Sequence, residues 1–135
     1  MTQREAVFPS GPRGFYDINR YSPAIRSGDL LFVSGQVGSR EDGSPEPDFE
    51  RQVLLAFDNL AAVLAAAGCT LADVVDVTTY HTDPDAQFET VRAVRETLIG
   101  EPPYPTWTAV GANLLYGFDF EIKAIARIPA TSLSL

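Results

Sequence analysis

Two chemistry-bearing residues are almost missing from this chain, and each scarcity excludes something. Cys69 is the only cysteine, so neither an intrachain disulfide nor a cysteine-cluster metal site can form. His81 is the only histidine, which rules out a histidine-rich metal site within one chain. A Ser-His-Asp triad would have to use that one strand-end imidazole, for which an ordinary hydrogen bond is the simpler role. Cys69, just past a helix end, reads as a neutral thiol rather than a nucleophile. No apolar run approaches the roughly 18 residues of a membrane-crossing helix. The first residues lack the apolar centre of a secretory leader, because Arg4, Glu5, Pro9 and Arg13 interrupt it. A cytoplasmic protein with no membrane partner is expected.

Positive charge is scarce too. Ten Lys and Arg face 18 Asp and Glu, for a net charge of −8, and the cations are scattered. Nucleic-acid binders need a basic patch to displace counterions from phosphate, so no nucleic-acid partner is expected. The glycine-rich phosphate loops, the HExxH zinc motif and the GxSxG nucleophile elbow are all absent.

What remains is the composition of a globular protein: 45% hydrophobic and 21% charged over 135 residues, one domain's worth. Residues 1–20 read as an irregular or short-strand lead-in. Tyr21–Arg26 and Leu30–Gln36 read as strands around the turn Ser27-Gly28-Asp29, and residues 38–47 as a loop. Between Asp48 and Ala67 the residues Phe49, Val53, Ala56, Leu60, Val63 and Leu64 recur at helical spacing. Asp48 is the expected N-cap and Gly68 the expected stop. Asp73–His81 is β-branched and aromatic. Asp83-Pro84 opens a second helix through Phe88, Val91, Val94, Arg95 and Leu98 to Gly100. Thr106–Asn113 and Phe118–Ile128 read as strands joined by a turn near Tyr116-Gly117. In the last, Phe118, Phe120, Ile122, Ala124 and Ala126 share one face, with Asp119, Glu121, Lys123 and Arg127 opposite. The order β-β-α-β-α-β-β predicts an α+β sandwich, a mixed sheet with two helices on one face. Its other face must meet water or a partner. Ile125 and Val74, placed among charges there, point to a partner.

The segments Arg20-Tyr21-Ser22-Pro23-Ala24 and Gly28–Gln36, the latter ending Phe-Val-Ser-Gly-Gln, resemble the RidA (YjgF) family. The likeness runs on through Asn59-Leu60, Ala66-Ala67-Gly68, Val77–Asp83, Pro102-Pro103 and Glu121–Ala126. Within the family it looks most like the YjgH branch, in the wording RYSPAIRSGDLLFVSGQVGSREDG and in GFDFEIK. The resemblance implies a chorismate-mutase-like fold, a homotrimer with small-molecule clefts between subunits, and hydrolysis of reactive enamines and imines without metal or organic cofactor. It implies Glu121 as the catalytic, water-associated carboxylate, Tyr21 as the residue closing the pocket, and Gly35 as a backbone contact to ligand. From the residues alone, Glu121 is one more acid on a polar strand face, Tyr21 an aromatic to be packed, and Gly35 a strand end or bulge.

One departure stands out. Where the resemblance places an arginine that grips the substrate carboxylate, this chain has Pro105 or Thr106, depending on the direction of counting. Arg92, on the second helix, is the substitute cation to consider, against a plain solvent-facing arginine. Trp107 offers a flat surface to an aromatic or uncharged ligand, or else a core or interface tryptophan. Three functions follow: imine hydrolysis with altered specificity, metabolite binding without turnover, and, least supported, action on RNA.

Overall fold

A computed structural model describes residues 3–130. In chain order the elements are β1 (Glu5–Val7), α1 (Gly14–Asn19), β2 (Ala24–Ser27), β3 (Leu30–Val37), α2 (Phe49–Ala66), β4 (Val74–His81), α3 (Pro84–Leu98), β5 (Thr106–Gly111) and β6 (Phe120–Arg127). The strands form a six-stranded sheet in the order β1-β2-β3-β6-β4-β5. Only β4 and β5 run parallel, joined by the α3 crossover; the other pairs are antiparallel. No helix among the described residues is long and apolar enough to cross a membrane.

The expected α+β architecture is present, and the lead-in carries more structure than expected. It holds both β1 and the six-residue α1, which Arg20 ends in the left-handed conformation at φ 57. The last strand lies between β3 and β4 rather than beside its predecessor, so β6 is central. Its alternation then does what a period of two dictates: Phe120, Ile122, Ala124 and Ala126 are buried beneath the helices, while Lys123 and Arg127 are exposed.

Helix α2 forms because Asp48 accepts the Arg51 N–H at 3.1 Å, leaving an apolar stripe to face inward. After its end Gly68 takes φ +78. Val53, Ala56, Phe57, Leu60, Val63 and Leu64 pack on Leu31 and Val33 of β3 and on β6. Each larger side chain buried this way contributes about 1.5–3 kcal/mol before the entropy of ordering it.

One sequence expectation fails. Val74 belongs to the core, at 6% exposure, and Val75 is the residue turned outward. A register irregularity between Val74 and Asp76 against β6 reverses the two faces at that end. On the open face Val75 joins exposed Phe32 and Val110 and half-buried Ile125. Phe32, Ile125 and Val75 adjoin across β3, β6 and β4, with Val75 in place of Val74, and Val110 stands apart beside Tyr80.

Candidate functional site

Buried and half-buried polar side chains fasten the segments around one cleft. Gln52 on α2 accepts the backbone N–H groups of Asp119 (2.8 Å) and Phe120 (3.1 Å) through its Oε1. Its Nε2 donates to the Glu46 carbonyl at 2.8 Å. A single amide thus ties the entry of β6 to the 38–47 loop. Asn59 donates to the Val37 carbonyl at 2.9 Å and holds the end of β3. Ser34 donates through Oγ to Ser22 at 2.7 Å and through its backbone to Pro23 at 2.8 Å, so the Tyr21 segment is fixed to β3.

Between these anchors, the β3–β6 register shifts between Val33 and Gln36. Gly35 lies in that irregularity, and its missing side chain makes room for Glu121: a Cβ there would overlap the Glu121 carboxylate. Bulge and close approach are the same feature. Glu121 is half-buried, and no hydrogen bond or ion pair holds its carboxylate among the described residues. Burial pushes its pKa above the ordinary value near 4.5.

The cleft over this carboxylate has a volume of about 500 Å³, and its wall is aromatic. Tyr16 and Tyr21 meet with ring centres 5.0 Å apart, and Phe15 lies edge-on to Tyr21 at 6.0 Å and to Tyr116 at 6.2 Å. Burial raises the pKa of both Tyr16 and Tyr21, and the charges of Tyr16, Glu121 and Tyr116 add to the rise at Tyr21. Tyr116 is 69% exposed and adopts φ 60, a backbone conformation uncommon outside glycine. It stands at the rim beside Leu115. Arg40 also lines the cleft and donates to Ser44 Oγ from Nε (3.1 Å) and Nη2 (2.8 Å).

Glu121, Tyr21 and Gly35 are therefore brought together, and Arg92, Thr106 and Trp107 do not line this cleft. Thr106 donates to the Val75 carbonyl at 3.3 Å and bonds Asp76. Arg92 is exposed and paired with Glu89 (3.1 Å) and Glu96 (3.3 Å). Trp107 stacks on Phe88 at 5.2 Å against the core and donates to Thr79 Oγ1 at 2.9 Å. That same hydroxyl lies 2.7 Å from His81 Nε2. His81 is fully buried, which lowers its pKa from 6.5, and Cys69 is buried with its thiol pushed up. Neither reaches the cleft.

Sequence reasoning missed Phe15, Tyr16, Tyr116 and Arg40. The cluster Phe15-Tyr16 so close to Tyr21 was the available signal for the first two; Arg40 stands in the loop directly after the Ser-Gly-Gln strand.

A family model described as Endoribonuclease L-PSP matches residues 13–128. The chain belongs to this family. Among relatives of the L-PSP family, the "RutC family protein YjgH" of Escherichia coli strain K12 is 67% identical over 129 residues, covering 96% of this chain and 98% of that one. The "Putative reactive intermediate deaminase TdcF" of the same strain is 31% identical over 113 residues, covering 81% and 87%. A solved structure titled Protein YJGH superposes with a TM-score of 0.88 at 66% identity, over 95% of this chain and 98% of that one.

Proposed function

We propose that this chain hydrolyses reactive enamines or imines to carbonyl compounds and ammonia, at the Glu121 cleft and without metal or organic cofactor. The observation that carries the proposal is the Glu121 carboxylate: half-buried, without a partner among the described residues, set on Gly35 and open to a small-molecule cleft. A relative named as a reactive intermediate deaminase supports the same chemistry. Water adds its oxygen to the carbon of the protonated C=N bond and gives a proton to Glu121. Glu121 returns that proton to nitrogen and then takes the hydroxyl proton as the C–N bond breaks and the C=O bond forms, and the departing ammonia carries that proton away as ammonium. The electrophile is already activated, so the protein's share is to hold it and aim the water. An acid whose pKa burial raises from its ordinary value serves both proton transfers better than a fully solvated one.

Specificity is proposed to differ from that of relatives that grip a carboxylate from the start of β5. Pro105 offers no donor there, and the Thr106 hydroxyl is engaged by Asp76. The walls favour an imine with an aromatic or aliphatic body, and Arg40 is the cleft's own cation. RNA cleavage, which the family description names, finds little support. The net charge is −8, and the sole histidine is sealed in the core.

The chain is further proposed to act as a cytoplasmic homotrimer, with neighbours seated on the open sheet face. Phe32 and Val75 are exposed there beside half-buried Ile125, and apolar surface of this kind is usually covered. Glu121 lies on that face of β6 too, so a neighbour seated there would help wall the cleft. A solution mass of three chains at micromolar concentration is expected; a monomer would remove this assembly.

The decisive experiment measures keto-acid release from imines generated in situ by an amino-acid oxidase, with acidic, aliphatic and aromatic side chains. Acceleration by the wild type is expected to fall by about 10²–10⁴-fold in Glu121→Gln, while ligand binding survives. No acceleration across the panel would leave metabolite binding without turnover as the function of the cleft.

A further inference from the structure

At the rim of the Glu121 cleft stands a side chain that the core does not use. Tyr116 is exposed, and among the described residues its one aromatic contact is Phe15, met edge-on. Its backbone is nevertheless held left-handed, at φ 60 and ψ 22, where a bulky side chain is strained and glycine or asparagine is at ease. The turn around it is fastened. Gly117 follows at φ +81, Phe118 donates its N–H to the Leu115 carbonyl at 3.4 Å, and Gln52 accepts the next two backbone N–H groups. Strain of this kind clusters where ligands are clamped, and here it mounts an aromatic ring over a cleft.

The rings behind it say what it would meet. Tyr116, Phe15, Tyr21 and Tyr16 form a continuous run of edge-to-face contacts, at interplanar angles of 71°, 80° and 61°. Such contacts set the positive edge of one ring against the negative face of the next. An aromatic ring entering the cleft can extend the run and gains more than its buried area; an aliphatic body gains the area alone. The exposed pair Arg40 and Glu41 lines the cleft with opposite signs, so charge does not decide between the two bodies. We infer that Tyr116 is a specificity-determining residue of the Glu121 cleft and selects imines that carry an aromatic ring over those with an aliphatic body. As a statement about turnover this rests on the hydrolytic reading of the same cleft; as a statement about binding it stands apart.

Two variants of the full chain test it. Tyr116→Asn removes the ring and suits the left-handed backbone, so its melting temperature is expected not to fall; Tyr116→Phe keeps the ring. Imines are generated by an amino-acid oxidase from phenylalanine and from leucine. The ratio of their kcat/KM values is expected to drop roughly tenfold in Tyr116→Asn, chiefly through KM, and to be kept in Tyr116→Phe. Calorimetric titration with phenylacetamide and cyclohexylacetamide, which differ only in the ring, reads the same preference without turnover. Their affinity ratio is expected to follow the same order, dropping in Tyr116→Asn and holding in Tyr116→Phe. If no imine is turned over but the affinity ratio behaves so, the hydrolytic reading falls and the role of Tyr116 stands. A ratio unchanged in Tyr116→Asn, or no saturable binding of phenylacetamide to the wild type, would overturn the assignment even where imines are hydrolysed. So would a lowered melting temperature in Tyr116→Asn with the ratio kept, because the residue would then serve the fold.

Discussion

Glu121, half-buried, and Arg95, 8% exposed, both lack a counter-charge among the described residues, yet the sheet keeps them on opposite sides. Glu121 projects from the open face of β6, and Arg95 lies between α3 and the Trp107 face of β5. The acid can relieve its burial by taking a proton, and its raised pKa is that relief. Arginine has no such exit, because its guanidinium stays protonated in proteins. The same physical stress therefore produces two kinds of group. One can trade a proton with a substrate; the other keeps its charge against the Trp107 ring.

The strongest way to break this pairing is from the Glu121 side, through the glycine beneath it. Gly35→Ala puts a methyl where the carboxylate now lies, and the backbone there is not in the left-handed region. The fold should persist while the carboxylate moves. A displacement of about an ångström costs roughly a hundredfold in rate when water must be aimed. Keto-acid release is expected to fall by that factor. Unaltered turnover would mean that the carboxylate is not at the reacting centre.

What the sequence revealed and what it hid follow from the range of the forces involved. Helix α2 was legible because its cap, its stripe and its terminal glycine all lie within about twenty residues and agree. The alternation of β6 was legible for the same reason, but its place between β3 and β4 depends on contacts far away in the chain. The Val74 error came from one irregular residue pair, since a shift by one exchanges the faces of a strand. Glu121, Tyr21 and Gly35 were identified by resemblance and are found together. The aromatic wall was hidden because α1 has only six residues, too few to show a period. Arg95 sat in plain view on the apolar stripe of α3. Composition argues that an arginine there is exposed, and only packing against Trp107 shows that it is not.

The smallest expected effect sharpens the comparison most directly, because it separates a charge that can leave from one that cannot. A carboxylate whose folded-state pKa is raised gives stability that is fully present below the ordinary value near 4.5 and is lost as pH rises through the raised value. Glu121→Gln has no charge to lose. Urea unfolding from pH 4 to 8 should therefore find the wild type nearly equal to Glu121→Gln at the acid end and progressively less stable above it. His81 has the opposite sign: its lowered pKa gives stability that is present above 6.5 and lost as pH falls through the depressed value. Both proteins carry His81, so its contribution cancels in their difference. Arg95→Met should shift stability by the same amount at every pH in that range, since the guanidinium keeps its charge throughout. If the Glu121→Gln difference is also flat, the carboxylate is as well solvated in solution as an ordinary one, and its poise for proton transfer is gone.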